Sequence, residues 1–214
     1  MTLLLLIRHG ITPATDRGVL AGWTPGIHLS DRGQEQAERI AERLLGVRIH
    51  GMYSSPLERC RETAGPLAAA TGMRPAVRAG FGEVRYGDWT GRPMKQLART
   101  KLWRVVQGVP SRARFPGGES LLEVQERAVR EIERIVLSQP RATVAIFTHG
   151  DVIRLVLAHY AGVHADLFQR LIVEPASVSV IVLGEGIPRI VKVNDTGDLS
   201  SLIRPKPVRR KVAG

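Results

Sequence analysis

Leu3-Leu4-Leu5-Leu6-Ile7-Arg8-His9-Gly10 joins a short apolar run to an adjacent arginine and histidine near the start of the chain. A continuous apolar run that stops at polar residues and glycine predicts a buried strand with functional groups at its carboxyl end. In open α/β sheets, ligands bind at that edge. A cation beside an imidazole favours an anionic substrate, because it lowers the imidazole pKa and keeps the ring an unprotonated nucleophile. Taken alone, the tripeptide is equally consistent with a chance Arg-His pair in a loop.

Further along the chain, apolar runs alternate with amphipathic segments. Ser30 is predicted to cap a helix, because apolar residues recur at helical spacing from Ala37 to Leu44. A second strand is predicted over residues 47–53, and Pro56 is placed in the first turn of a helix that runs to residue 70. This order of strands and helices is typical of a parallel sheet.

The second half of the chain continues the alternation. Ser120 and Glu123 form a capping-box pattern that predicts a helix over residues 120–137. A strongly apolar strand over residues 142–148 ends in another His-Gly pair, and a helix is predicted over residues 151–160. Two further runs, residues 178–183 and 188–193, predict a hairpin around a Gly-rich turn.

Together these elements predict an α/β fold: a three-layer sandwich with a mostly parallel central sheet and helices on both faces. Residues 81–118 are rich in Gly, Pro, Arg and Trp and contain one amphipathic helix candidate, residues 94–106, so we expect a short lid insertion there. We expect residues 1–203 to form a single domain. Residues 204–214 are expected to be a basic tail.

The charge of the chain favours anionic partners. Its 214 residues contain 31 Lys and Arg against 20 Asp and Glu, a net charge of +11. Part of this excess lies in the basic tail. Aromatic residues make up only 5% of the chain, which leaves few platforms for stacking bases and counts against nucleic-acid binding.

Cysteine usage and the N-terminal segment bound the compartment. Cys60 is the only cysteine, which excludes an intrachain disulfide and a thiolate metal cluster. The first apolar run lacks a basic flank and is too short for a signal peptide, and no stretch has transmembrane length. We therefore expect a cytoplasmic protein with no membrane partner.

Three predicted strand ends carry groups suited to an anion. His9-Gly10 and His149-Gly150 each follow an apolar strand, and a third strand end leads through Ser54-Ser55-Pro56 to Arg59. A parallel sheet brings such ends to one edge, where helix N-termini add free N–H groups. Singly, each residue is explained as well by a solvated charge or a buried core histidine. Jointly they predict a phosphate pocket.

In these motifs the chain resembles the histidine phosphatase superfamily, which includes the cofactor-dependent phosphoglycerate mutases. The resemblance runs from about residue 3 to residue 194, with the motifs in order and at family-like spacing. They are Arg8-His9-Gly10-Ile11-Thr12, Gly22-Trp23, Leu29-Ser30-Asp31-Arg32-Gly33, Ser54-Ser55-Pro56-Leu57-Glu58-Arg59, Glu83 to Gly91, Pro116-Gly117-Gly118-Glu119-Ser120 and Thr148-His149-Gly150.

The resemblance implies a role for each matching residue. His9 would be the nucleophile that becomes phosphohistidine. Arg8, Arg59 and His149 would hold the phosphoryl oxygens, and Glu83 would donate the proton to the leaving group. Arginines would supply the electrostatic stabilisation that Mg²⁺ supplies in kinases, so no metal and no cofactor is implied.

Accessory phosphate contacts are less well defined. Thr12 matches a Ser/Thr position of the family. Thr15 stands where mutases commonly carry Asn, which weakens both Thr15 as a ligand and a mutase assignment. Backbone amides at Ala21 and Gly22 could also contact the phosphate.

These features favour a phosphomonoesterase acting on a small phosphorylated metabolite. A mutase would need a closed pocket with extra cations, and the short segment between residues 92 and 115 offers no Arg-Arg pair. Phosphoglycerate mutase-type transfer remains the alternative, and a non-catalytic basic nucleic-acid-binding protein on the same fold is a third reading. An apolar edge strand or the hairpin could pair two subunits into a homodimer.

Overall fold

The computed structural model describes residues 1–197, so the predicted basic tail lies outside the described residues. The strands are β1 (Thr2–Arg8), β2 (Gly51–Ser54), β3 (Ala76–Val77), β4 (Thr143–Thr148), β5 (Val178–Leu183) and β6 (Arg189–Asp195). The helices are α1 (Pro13–Asp16), α2 (Asp31–Leu44), α3 (Glu58–Thr71), α4 (Met94–Leu97), α5 (Lys101–Gly108), α6 (Leu121–Ser138) and α7 (Gly150–Tyr160). Single 3₁₀ segments span Ala79–Phe81, Gly87–Trp89, Pro110–Arg112 and Ala165–Arg170.

One mixed sheet contains all six strands, in the order β3-β2-β4-β1-β5-β6. The first four strands in this order run parallel, while β5 and β6 pair antiparallel at the other edge. In the central pair, Leu3 lies opposite Thr143 and Arg8 opposite Thr148. The residues that follow these two strands are therefore neighbours at one edge of the sheet.

Successive side chains of β1 enter opposite cores, because strand side chains alternate between the two faces of a sheet. Leu4 and Leu6 belong to a core that includes apolar residues of α6 and α7. Leu5 and Ile7 belong to a second core formed with α2 and α3. Helices thus cover both faces, and the predicted α/β sandwich with a mostly parallel sheet is confirmed.

Two predicted boundaries near β2 are wrong. The strand begins at Gly51 rather than residue 47, because Gly46 turns the chain at φ +84° and the Val47 amide still bonds the Leu44 carbonyl at the end of α2. The next helix begins at Glu58 rather than at Pro56, since Leu57 is still extended. The loop before α3 is therefore longer than expected, and it lies at the functional edge of the sheet.

The insertion, residues 81–118, differs from the single helix predicted over residues 94–106. Two helices, α4 and α5, occur instead, and Thr100 caps the second by accepting a bond from the Trp103 amide. A cap satisfies the first amides of a new helix and so favours a break at that point. The insertion also contributes buried residues such as Leu97 and Phe115 to the core shared with α6 and α7. It is packed into the protein, not only laid over the sheet.

Other predicted elements are confirmed. Ser120 and Glu123 form the reciprocal capping box at the start of α6. The hairpin of β5 and β6 is present with antiparallel pairing. In the part of the chain that the structure describes, no helix combines the length and the apolar character needed to cross a bilayer.

Candidate active site

The ends of β1 and β4 bring His9 and His149 together. Their ring centroids lie 5.2 Å apart with the ring planes at 65°. The His9 amide donates to the Thr148 carbonyl at 3.0 Å, which ties the two strand ends to each other. Both rings are buried, so their protonation is controlled by neighbouring groups more than by solvent.

His9 is oriented by a backbone acceptor. Its Nδ1 lies 2.7 Å from the Gly10 carbonyl oxygen, which can only accept, so Nδ1 carries the proton and Nε2 carries the lone pair. Burial first, and then the charges of Arg59 and Arg8, hold the His9 pKa well below its ordinary value. The ring is therefore neutral at physiological pH, with a nucleophilic nitrogen.

Two guanidinium groups line the same cavity as His9 and act on its ring. Arg59 donates from Nε to His9 Nε2 at 3.3 Å and from Nη2 to the Gly22 carbonyl at 2.9 Å. Arg8 donates from Nη1 to the Val173 carbonyl at 2.6 Å. Among the described residues, Arg59 Nη1 and Arg8 Nε are buried and have no hydrogen-bond partner. Unpaired buried donors are costly, so these two atoms fit an anion held beside His9.

His149 lies behind the cavity wall. Its Nε2 is 2.8 Å from the Ser55 hydroxyl, and its Nδ1 is 3.2 Å from Arg59 Nη2 and 3.5 Å from Glu83 Oε2. Burial, followed by the charge of Arg59, lowers the His149 pKa well below its ordinary value. The ring thus links Arg59 to the Glu83 carboxyl group.

Glu83 enters the site from the loop after the 3₁₀ segment Ala79–Phe81. Its carbonyl accepts from Trp23 Nε1 at 2.5 Å and Arg127 Nη2 at 2.9 Å, which fixes the backbone there. Burial, and then the charge of Asp151, raise the pKa of Glu83 to about 7, with Arg59 partly offsetting them. A carboxyl group that keeps its proton near neutral pH can act as a general acid.

His9, Arg59 and Glu83 line one cavity of about 270 Å³. Residues of β1, of α1 and of the loop after α1 also line it. Thr12 lies on it, but its hydroxyl already accepts the Thr15 amide at 3.2 Å as the cap of α1. The Thr12 and Thr15 hydroxyls are 3.0 Å apart. Ala21 and Gly22 line the same cavity. Every predicted site residue except His149 therefore lines it directly.

The sequence did not single out three further lining residues. Tyr86 donates its hydroxyl to Asp151 Oδ2 at 2.9 Å, and Arg154 donates to Asp151 Oδ1 at 3.0 Å. Asp151 directly follows the second His-Gly pair, and Tyr86 falls inside the motif that begins at Glu83. The closeness of Asp151 and Tyr86 to these motifs is the sequence signal that could have pointed to them. Side-chain convergence from α7 and the insertion is visible only in the fold.

The remaining histidines lie elsewhere. His28 pairs with Glu62 and is not part of the cavity lining. One ligand atom each from His9, Glu83 and His149 lie within 4.8 Å of one another, which is compatible with a metal ion. The charges of Arg59 and Arg8 both act on His9 and Glu83. That charge balance opposes a cation and favours an anion such as a phosphoryl group.

Comparison with known proteins agrees with this geometry. The chain matches the family described as the histidine phosphatase superfamily (branch 1) over residues 4–196. It is 29% identical over 198 residues to phosphoserine phosphatase 1 of Hydrogenobacter thermophilus, covering 92% of this chain and 93% of that protein. It is 31% identical over 162 residues to a probable phosphatase of Schizosaccharomyces pombe, covering 73% and 72%.

Solved structures show the same architecture. Bacillus stearothermophilus YhfR superposes with a TM-score of 0.85 at 26% identity, covering 94% of this chain and 100% of that one.

Three mycobacterial relatives, each 29% identical, are longer, and the chain spans 55% of each. The chain belongs to the histidine phosphatase superfamily, and the resemblance predicted from its ordered motifs is confirmed.

Proposed function

We propose that this protein is a phosphomonoesterase that hydrolyses a small phosphorylated metabolite through a phosphohistidine on His9. One observation carries the proposal: a neutral His9 lines a cavity with two arginines that each keep one buried nitrogen without a hydrogen-bond partner. Relatives named as phosphatases support hydrolysis of phosphate monoesters.

In the first step His9 Nε2 attacks phosphorus. The new P–N bond forms as the bond from phosphorus to the ester oxygen breaks. Arg8 and Arg59 hold the phosphoryl oxygens and offset the charge that develops on them, while His149, behind the cavity wall, positions Arg59 through its Nδ1. Glu83 gives its proton to the leaving oxygen, because an alkoxide is a poor leaving group.

The second step returns the enzyme to its starting state. The Glu83 carboxylate takes a proton from a water molecule, and that water attacks phosphorus as the P–N bond breaks. Inorganic phosphate leaves, His9 is neutral again, and Glu83 is protonated again. Splitting one difficult hydrolysis into two steps is the advantage of a covalent intermediate. Thr12, Thr15 and the backbone at Ala21 and Gly22 would help to hold the phosphate.

Phosphoryl transfer between positions of one substrate is the second candidate. A relative named phosphoglycerate mutase-like protein 4, from Arabidopsis thaliana, is 30% identical over 156 residues and supports it. A mutase must hold a second anionic group, however. Besides Arg8 and Arg59, the only basic residue that lines the described cavity is Arg154, and it pairs with Asp151. Hydrolysis is therefore the better supported reaction.

The test is hydrolysis of p-nitrophenyl phosphate in EDTA by the wild-type chain and by His9→Ala and His28→Ala. We expect His9→Ala to lose about a thousandfold or more in kcat/KM. His28→Ala, outside the cavity, should retain full activity. Activity that depends on added metal, or that survives in His9→Ala, would contradict the proposal. Interconversion of 2- and 3-phosphoglycerate would favour the mutase, and salt-sensitive RNA binding without turnover would favour a binding protein.

A further inference from the structure

A second cavity of about 360 Å³ adjoins the catalytic one. Leu20, Tyr86, Met94, Asp151 and Arg154 line both cavities, so the two share a common border. We call the second cavity the aromatic annex. Beyond the shared border, its apolar walls are formed by Trp89, Trp103, Val106, Phe115, Leu121 and Phe168.

The aromatic residues that line the annex pack against one another. The Trp89 and Trp103 rings stack with centroids 6.2 Å apart and planes at 26°. Phe115 makes T-shaped contacts with Trp89 and with Tyr86, at centroid distances of 5.3 Å and 5.0 Å. Interlocked rings of this kind form a preformed apolar surface, which is the usual lining of a small-molecule site.

Charge in the annex is already balanced. Its charged lining residues are Asp151 and Arg154, and these pair with each other at 3.0 Å. In the described part of the chain, the basic residues of the insertion line neither cavity; they are Arg85, Arg92, Lys95, Arg99, Lys101, Arg104, Arg112 and Arg114. A second anionic group on the substrate would therefore find no free cation there. An uncharged apolar group would bury its surface against aromatic walls.

We propose that the preferred substrate is a phosphate monoester whose leaving group carries an aromatic or bulky apolar part that fills the annex. This inference rests on the proposed phosphatase function, since the phosphate must sit at His9 for the rest of the molecule to reach the annex. The shared border orients the ester: phosphate on the His9 side, apolar group beyond Tyr86. Binding energy from the remote apolar part then raises kcat/KM.

The test compares two esters with the same kind of leaving oxygen, ethyl phosphate and 2-(1-naphthyl)ethyl phosphate. Both release a primary alcohol, so their chemistry differs little and the contrast isolates the apolar part. Burying about 100 Å² of apolar surface predicts a kcat/KM about tenfold to a hundredfold higher for the naphthyl ester. Equal values for the two esters would overturn the inference.

Two matched variants locate the effect. Gln107 and Arg104 are both exposed residues of α5, but only Gln107 lines the annex. Gln107→Trp should fill the annex and lower the ratio of kcat/KM for the naphthyl ester to kcat/KM for ethyl phosphate about tenfold. Arg104→Trp should leave that ratio unchanged. A loss that is the same for both esters in Gln107→Trp would contradict the assignment.

A binding measurement separates this inference from the function it rests on. His9→Ala protein should bind the naphthyl ester about tenfold more tightly than ethyl phosphate by calorimetry. If wild type hydrolyses both esters equally and the affinities are equal, the annex proposal fails while the phosphatase stands. If neither ester is hydrolysed but the naphthyl ester still binds more tightly, the proposed reaction fails and the apolar site stands.

Discussion

At the scale of single residues, burial shifts the pKa values of two side chains in opposite directions. The pKa of His9 falls well below its ordinary value because burial and nearby arginines disfavour the imidazolium. The pKa of Glu83 rises to about 7 because burial and Asp151 disfavour the carboxylate. Near neutral pH, the fold therefore holds a neutral imidazole close to a carboxyl group that can carry a proton, an arrangement that suits the proposed phosphohistidine mechanism.

Replacing Glu83 tests its proposed role as the proton donor. Glu83→Gln should lower kcat/KM for an alkyl phosphate about a hundredfold to a thousandfold, since an alkoxide must be protonated as it leaves. The loss for p-nitrophenyl phosphate should be much smaller, because nitrophenolate leaves without a proton. Equal losses for both substrates would contradict the assignment.

The same acid predicts a pH dependence. Glu83 is protonated below about pH 7 and loses its proton above it. Wild-type kcat/KM for an alkyl phosphate should therefore fall as pH rises through about 7, and that fall should be absent from the residual activity of Glu83→Gln. A wild-type rate that stays flat from pH 6 to 9 would exclude Glu83 as the proton donor.

The site residues that could be predicted from the sequence are the arginine and histidine residues at the end of an apolar strand. Arg8, His9 and His149 follow apolar runs and are visible as motifs. The network of Tyr86, Asp151 and Arg154 is not visible, because an acidic or basic residue on a helix is ordinarily a solvated charge. Its members meet only once α7 and the insertion have packed.

At the scale of elements, the turn after β1 is pressed against the start of α2. A Cβ on Gly10 would lie 2.6 Å from the Gly33 carbonyl oxygen, and a Cβ on Gly33 would lie 2.1 Å from the Ile11 carbonyl oxygen. Backbone atoms cannot move aside as a flexible side chain can. Glycine at both positions lets α2 pack directly beneath the residue that follows His9.

Gly33→Ala should therefore destabilise the protein by about 2 kcal/mol or more in urea unfolding, because the added methyl meets backbone. The matched control is Gly108→Ala in the last turn of α5, where a Cβ meets nothing within 4 Å. That change should leave the stability unchanged or raise it by up to about 0.5–1 kcal/mol through helix propensity. Similar effects for both variants would contradict the close packing described here.

Helices and strands that depend on neighbouring residues in the chain can be predicted from the sequence. Elements whose bounds depend on pairing or packing with distant residues cannot. The capping box of Ser120 and Glu123 and the β5–β6 hairpin need only neighbouring residues. Strand β3 has two residues and exists because it pairs with β2. The late start of β2 likewise reflects where pairing with β4 begins, at Gly51.

At the scale of the whole molecule, the site makes stability depend on pH. His9 and His149 are neutral in the folded state but take up protons in the unfolded chain below about pH 6.5. Their contribution therefore lowers the free energy of unfolding as pH falls below that value. Glu83 acts in the opposite direction between its ordinary pKa and about 7, since only the folded state keeps its proton there.

Glu83→Gln removes the carboxyl group whose titration opposes that of the two histidines. Between pH 5 and 6.5 the variant should lose stability on acidification more steeply than wild type, by about 1.4 kcal/mol per pH unit for one proton. Urea unfolding at a series of pH values measures both slopes. Parallel slopes would show that Glu83 titrates at its ordinary pKa in the folded protein.

The most direct test is to trap the covalent intermediate. Wild-type enzyme mixed with p-nitrophenyl phosphate and quenched rapidly in alkali should carry one phosphoryl group on His9, labile to acid, with a matching burst of nitrophenol. Turnover without any phosphorylated protein, or with the phosphoryl group on another residue, would contradict the mechanism.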